Sequence, residues 1–121
     1  MKKVLLVDDS NTILMMEKMV LMGTHYQIIT ASNGEEGVAR ALAERPDVIL
    51  MDVVMPKMNG FEACRRLRQE EATREIPVIM VTTRGEAVNV EAGFESGCND
   101  YVTKPINALE LLTKLRDQLG E

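Results

Sequence analysis

Two short apolar runs, Val4-Leu5-Leu6-Val7 and Val48-Ile49-Leu50-Met51, each stop abruptly at aspartate, the first at Asp8-Asp9 and the second at Asp52. Unbroken runs of this length suit strands covered on both faces, which is the situation of a parallel sheet flanked by helices. The segments between and after them read accordingly. Ser10 can cap a helix over Asn11 to Met22 that ends at Gly23, and Tyr26 to Thr30 returns as a β-branched second strand. Glu35 to Glu44 forms a second helix, stopped before Arg45-Pro46. Asn59 to Glu70 supplies a third, entered through an Asn59-Gly60 turn with easy access to positive φ. Pro77 to Val81 is a fourth strand ending at Thr82, and Glu86 to Glu95 a fourth helix closed near Gly97, with Gly93 interrupting it. Tyr101-Val102 is a short fifth strand. Asn107 to Leu119 is a last amphipathic helix with Leu109, Leu112 and Leu115 on its apolar side.

Strands alternating with helices through short connections imply an α/β fold, a doubly wound parallel sheet with helices on both faces. The 121 residues fit one domain spanning 1–121, with no room for a separate output domain. A content of 45% apolar and 27% charged residues excludes a disordered or fibrous chain. The net charge of −5, without clustered Lys and Arg, argues against nucleic acid as a direct partner. The apolar run after Met1-Lys2-Lys3 ends at Val7, too short for a signal peptide or a membrane span. Cys64 and Cys98 form no Cys-x-x-Cys pair and lie among no histidines, so a reducing cytoplasm is expected. His25, the sole histidine, has no second ligand nearby and is assigned to the surface.

In sheets of this class, ligands bind outside the carboxyl ends of the strands, and Asp8, Asp9, Asp52 and Thr82 all fall there. If the first and third strands are neighbours, the three acids crowd together, and like charges raise one another's pKa unless a cation intervenes. Lys104 supplies one positive charge. Three carboxylates and one ammonium leave about −2, which a hard divalent ion with oxygen ligands neutralises, and Mg²⁺ fits best. Phosphoryl transfer needs little more than an acceptor oxygen, a metal, a cation and a hydroxyl donor. Asp52, Mg²⁺, Lys104 and Thr82 supply them, with Asp52 as the nucleophile because it sits between the other acids and the Thr and Lys positions. A purely structural acid cluster is the rival reading. A cis Lys104-Pro105 bond could aim the lysine inward, a point the residues alone leave open.

These residues form a joint pattern: Asp8-Asp9, then Asp52-Val53-Val54-Met55-Pro56 through Asn59-Gly60, then Thr82, then Tyr101 through Lys104-Pro105. Over essentially the whole chain it resembles the receiver domain of response regulators in two-component signalling. The resemblance implies a flavodoxin-like (βα)5 fold with strand order 2-1-3-4-5. It implies that Asp52 takes a phosphoryl group from the phosphohistidine of a sensor histidine kinase or phosphotransfer protein. It also implies that Asp8, Asp9, Asp52 and the main-chain carbonyl of Val54 hold Mg²⁺. Thr82 and Lys104 would contact the phosphoryl group, Tyr101 would move as Thr82 is drawn over, and Lys104-Pro105 would be cis. Val54 and Arg84 stand where the family tunes dephosphorylation, and Gly97-Cys98-Asn99-Asp100 departs from the commoner turn before the switch aromatic.

A phosphoryl group of about −1.5 to −2 would favour any conformation that brings Thr82 and Lys104 close, so a shifted equilibrium of the face formed by the fourth helix, fifth strand and fifth helix is expected rather than a new fold. The chain would then be a phosphoacceptor that assists its own phosphorylation and dephosphorylation, not an enzyme. It is expected to act as a stand-alone, chemotaxis-like monomer, with a phosphorylation-dependent dimer as an alternative, on a downstream protein target. The first helix bears Ile13, Met16 and Val20 on one stripe and Met15, Met19 and Met22 on another; the second stripe is either core or an adaptable docking surface, on the helix that meets the kinase in the family. Competing readings are a phosphorylation-independent interaction module and a fragment of a longer regulator. A haloacid dehalogenase-type phosphatase lacks its Asp-x-Asp signature here, and dinucleotide binding lacks Gly-x-Gly-x-x-Gly.

Overall fold

The computed structural model describes residues 1–83 and 87–121, in side-chain detail except at 83 and 87–89. Strands β1 (Lys3–Val7), β2 (Gln27–Ala31), β3 (Val48–Asp52), β4 (Val78–Thr83) and β5 (Asp100–Lys104) alternate with helices α1 (Asn11–Leu21), α2 (Gly34–Glu44), α3 (Gly60–Gln69), α4 (Ala87–Glu95) and α5 (Ala108–Leu119). The strands pair in parallel in the order β2-β1-β3-β4-β5. This is the flavodoxin-like arrangement expected above.

Successive strand residues point to opposite faces, and both faces are covered. Leu5, Val7, Ile49, Met51, Val78 and Met80 pack toward Val38 and Ala41 of α2 and Ala63, Cys64 and Leu67 of α3. Val4, Leu6, Val48, Leu50, Ile79 and Val81 pack toward Leu14 and Leu21 of α1 and Leu111, Leu115 and Leu119 of α5. The apolar runs therefore lack alternation because neither face of the central strands meets water.

Polar caps set the helix starts. Ser10, Asn33, Asn59 and Asn107 each accept from the backbone N–H three residues on, contributing about 1 kcal/mol apiece. Asn59 is thus the cap of α3 and not its first residue; Glu62 completes a reciprocal capping box. Gly60 does not serve by positive φ, which among the described glycines belongs to Gly23, Gly97 and Gly120. It serves by having no side chain, because a Cβ there would lie 2.2 Å from the Asp52 carbonyl oxygen. Gly93 stays within α4, where its missing Cβ lets Cys98 and Met80 approach.

Three expectations are corrected. In α1 the buried stripe is Leu14, Glu17 and Leu21, whereas Met16 is 39% exposed and Ile13 and Val20 are only half-buried. Met15, Met19 and Met22 are exposed. In α5 the core stripe is Leu111, Leu115 and Leu119, and Leu109 is 73% exposed because it faces away from that stripe in the first turn. Strand β5 runs the full length Asp100–Lys104, since backbone pairing with β4 from Ile79↔Asp100 to Thr83↔Lys104 holds it despite its polar residues. The expected start of the fourth helix, Glu86, lies outside the described residues, as does Arg84.

Arg68 fastens the end of the sheet farthest from the aspartates. Its guanidinium donates to the carbonyls of Gly97 (2.9 Å), Arg74 (3.1 Å) and Ile76 (2.7 Å) and to Asn99 Oδ1 (2.8 Å). Asn99 Oδ1 also accepts from Val78 N at 2.9 Å. A guanidinium carries five donors in a fixed planar fork, enough for these four acceptors, whereas an ammonium carries three on one atom. Arg68→Lys is therefore expected to cost about 2 kcal/mol despite keeping the charge, read as a lowered urea midpoint at unchanged slope.

Candidate functional site

β1 and β3 are adjacent, with Val7 paired to Met51, so the residues that follow, Asp8 and Asp52, emerge side by side. Asp8 is 1% and Asp52 4% exposed, while Asp9, one residue further on, reaches the surface. One carboxylate oxygen from each of the three lies within 4.8 Å of the others. Short connections hold the cluster in place: Asp8 Oδ1 accepts from Ser10 N at 2.9 Å, and Gly60 N donates to Val53 O at 2.9 Å, closing the loop after Asp52 onto α3.

Lys104 ends β5 two strands from β3 yet reaches back over the sheet. Its Nζ is 2.9 Å from Asp52 Oδ1 and 3.7 Å from Asp8 Oδ2. The Lys104-Pro105 bond is cis. Thr82, near the end of β4, is 2% exposed and its Oγ1 is buried without a hydrogen-bond partner among the described residues. Val54 follows the strand at a bend and is 76% exposed. The expected cluster of Asp8, Asp9, Asp52 and Lys104 is thus brought together, with Thr82 at the tip of the intervening strand.

Burial pushes the carboxyl of Asp52 above the ordinary carboxylate range, against the hydrogen bond and charge of Lys104, with Asp9 adding to the rise. Asp8 is likewise raised, first by burial, then by Asp52, against the Ser10 N–H and Lys104. Desolvation therefore outweighs the like-charge repulsion anticipated from the sequence, although both act in the same direction. For Lys104, burial works to lower the pKa, but the bond to Asp52 and the charges of Asp52, Asp8 and Glu17 override it and raise it.

Tyr101, the second residue of β5, is gripped from two sides. Lys114 Nζ lies 4.6 Å from its ring centroid, contacts its carbonyl oxygen and pairs with Asp100 at 3.4 Å. The Phe94 ring meets it edge-on at 6.1 Å. Neither contact was legible in the sequence, because each joins helices to a strand across the fold. Glu17 was also missed: it is 1% exposed, and burial followed by the charges of Asp8 and Asp52 pushes its carboxyl up to about 8.

Three hard oxygen donors from the tips of two neighbouring strands, partly neutralised by one lysine and including a buried Asp8 Oδ2 without a hydrogen-bond partner among the described residues, fit a small divalent cation better than a soft or redox metal. A family model for the response regulator receiver domain matches residues 4–116. The chain belongs to that family, the receivers of phosphorylation-based two-component signalling. It is 44% identical over 120 residues to the protein PilH of Pseudomonas aeruginosa, covering 99% of each. It is similar to the chemotaxis protein CheY4 of Vibrio cholerae, at 37% identity and a TM-score of 0.91, covering 98% of this chain and 99% of that one. The receiver domain of the sensor histidine kinase PA1611 of Pseudomonas aeruginosa PAO1, at 30% identity and TM-score 0.91 over 99% of this chain and 98% of that one, has a magnesium ion coordinated in its active-site cleft. The chain spans about half the length of several transcriptional regulators that it also matches. No helix among the described residues is long and apolar enough to cross a membrane.

Proposed function

We propose that Asp52 accepts a phosphoryl group from the phosphohistidine of a sensor histidine kinase or phosphotransfer protein, in the cytoplasm and with Mg²⁺. The observation that carries this is the Lys104 ammonium, 2.9 Å from Asp52 Oδ1, among carboxylates that converge within 4.8 Å. Asp8, Asp9, Asp52 and the carbonyl of Val54 would hold Mg²⁺, which when bound supplies positive charge to the carboxylates and to phosphoryl oxygens. An Asp52 oxygen forms the new bond to phosphorus as the P–N bond to the donor imidazole breaks, and the imidazole keeps the electron pair and takes a proton. Lys104 then neutralises a phosphoryl oxygen, and the Thr82 hydroxyl, buried without a partner among the described residues, gains an acceptor.

Drawing Thr82 toward the phosphoryl group alters the β4–β5 tip and the setting of Tyr101. The response is a population shift of the α4–β5–α5 face, read by a downstream protein. The chain acts as a phosphoacceptor that assists its own phosphorylation and hydrolysis. Incubation with acetyl phosphate and Mg²⁺ is expected to add one phosphoryl mass to the intact protein, and a chelator to prevent it. Wild-type protein that stays unmodified with Mg²⁺ present would favour the phosphorylation-independent interaction module instead.

A further inference from the structure

Helix α1 carries into the interior one group that the proposed chemistry does not use. Glu17 occupies the stripe between Leu14 and Leu21, and its Oε1 is buried without a hydrogen-bond partner among the described residues. A methionine or leucine would pack there without the cost of about 1–3 kcal/mol that an unsatisfied buried polar atom brings. α1 starts immediately after Asp8-Asp9-Ser10, beside the pocket, and helical side chains lean toward the N-terminus of their helix. The Glu17 carboxyl is therefore carried back toward the aspartates, where it feels the charges of Asp8, Asp52 and Lys104. Asp8 Oδ2, the oxygen facing Lys104 at 3.7 Å, is also buried without a hydrogen-bond partner among the described residues. Two acceptors of this kind, one on each side chain, match the two donors of a single water. A Glu side chain presents an acceptor oxygen whether or not it carries a proton.

We propose that Glu17 is a positioning residue for the divalent-cation site, holding Asp8 through a shared water in the orientation that the ion requires. This rests on reading the pocket as a Mg²⁺ site and extends that site inward by one layer. Partners behind a ligand commonly matter to metal affinity by 10–100-fold. Glu17→Met keeps the bulk and removes the acceptor, whereas Glu17→Gln keeps both shape and acceptor.

The test is a Mg²⁺ titration followed by amide chemical shifts, on protein whose fold is checked by circular dichroism. Glu17→Met is expected to bind Mg²⁺ about tenfold more weakly than wild type, and Glu17→Gln to stay within about twofold. Equal affinity of Glu17→Met and wild type overturns the assignment. So does a Glu17→Gln affinity as low as that of Glu17→Met, which would assign the effect to charge. Wild-type protein that takes up no Mg²⁺ overturns the reading of the pocket, and this inference with it.

Discussion

Asp52→Asn protein incubated with acetyl phosphate and Mg²⁺ is expected to show no phosphoryl adduct in its intact-mass spectrum, where wild type shows one. The amide has no anionic oxygen to attack phosphorus, and the neighbouring acids are poor substitutes. Lys104 stands 2.9 Å from Asp52 but 3.7 Å from Asp8, and Asp9 has no ion pair among the described residues. The fold should survive, because an asparagine oxygen can still accept from Lys104 and no volume changes. Loss of the adduct would then report chemistry and not unfolding. An adduct of wild-type yield on Asp52→Asn would move the nucleophile to another acid and dismantle the assignment of roles.

Freed of divalent ions by a chelator, the protein is expected to lose stability as the pH rises from about 4.5 to about 8. Glu17 has a folded-state pKa of about 8 against an ordinary 4.5, so the folded state binds more protons than the unfolded state across that window. Stability then falls with pH: this contribution is fully present below the unfolded value and lost as the pH passes through the folded one. At about 1.4 kcal/mol per pH unit the change is at most on the order of 5 kcal/mol. Asp8 and Asp52, also raised, act with the same sign at the acidic end. Lys104 is raised too, but it titrates at alkaline pH, outside the window. Glu17→Met should flatten the slope and stabilise the metal-free protein at pH 8 by about 2–4 kcal/mol. Urea midpoints across the pH range decide this; an unchanged slope in Glu17→Met would place the linkage elsewhere.

The strand tips could be read from residue order because an apolar run without alternation has only one place to end. Once Val7 and Met51 pair, Asp8 and Asp52 must emerge together, and no other interaction has to be known. Glu17 was hidden for the converse reason. An eleven-residue helix that is apolar on most sides leaves its phase open, and a charged residue draws the eye to solvent. The stripe of Ile13, Met16 and Val20 has the same spacing as that of Leu14, Glu17 and Leu21, and only the packing against the sheet and α5 separates them. Leu109 failed similarly, one apolar residue too early in its helix. The hold of Lys114 on Tyr101 and the contacts of Arg68 have no local signature at all, since their partners come from distant segments.

Arg68 gives β4 and β5 unequal ends. The chain entering each strand, at Ile76 and at Asn99, is fastened to the same guanidinium. Thr82 and Lys104 sit at the opposite tips. Strands rooted at one end and pulled at the other swing about the root before they slide along their neighbours. β5, with a partner on one side only, has the most room to do so, which makes the guanidinium the pivot of a lever whose working arm ends at Lys104.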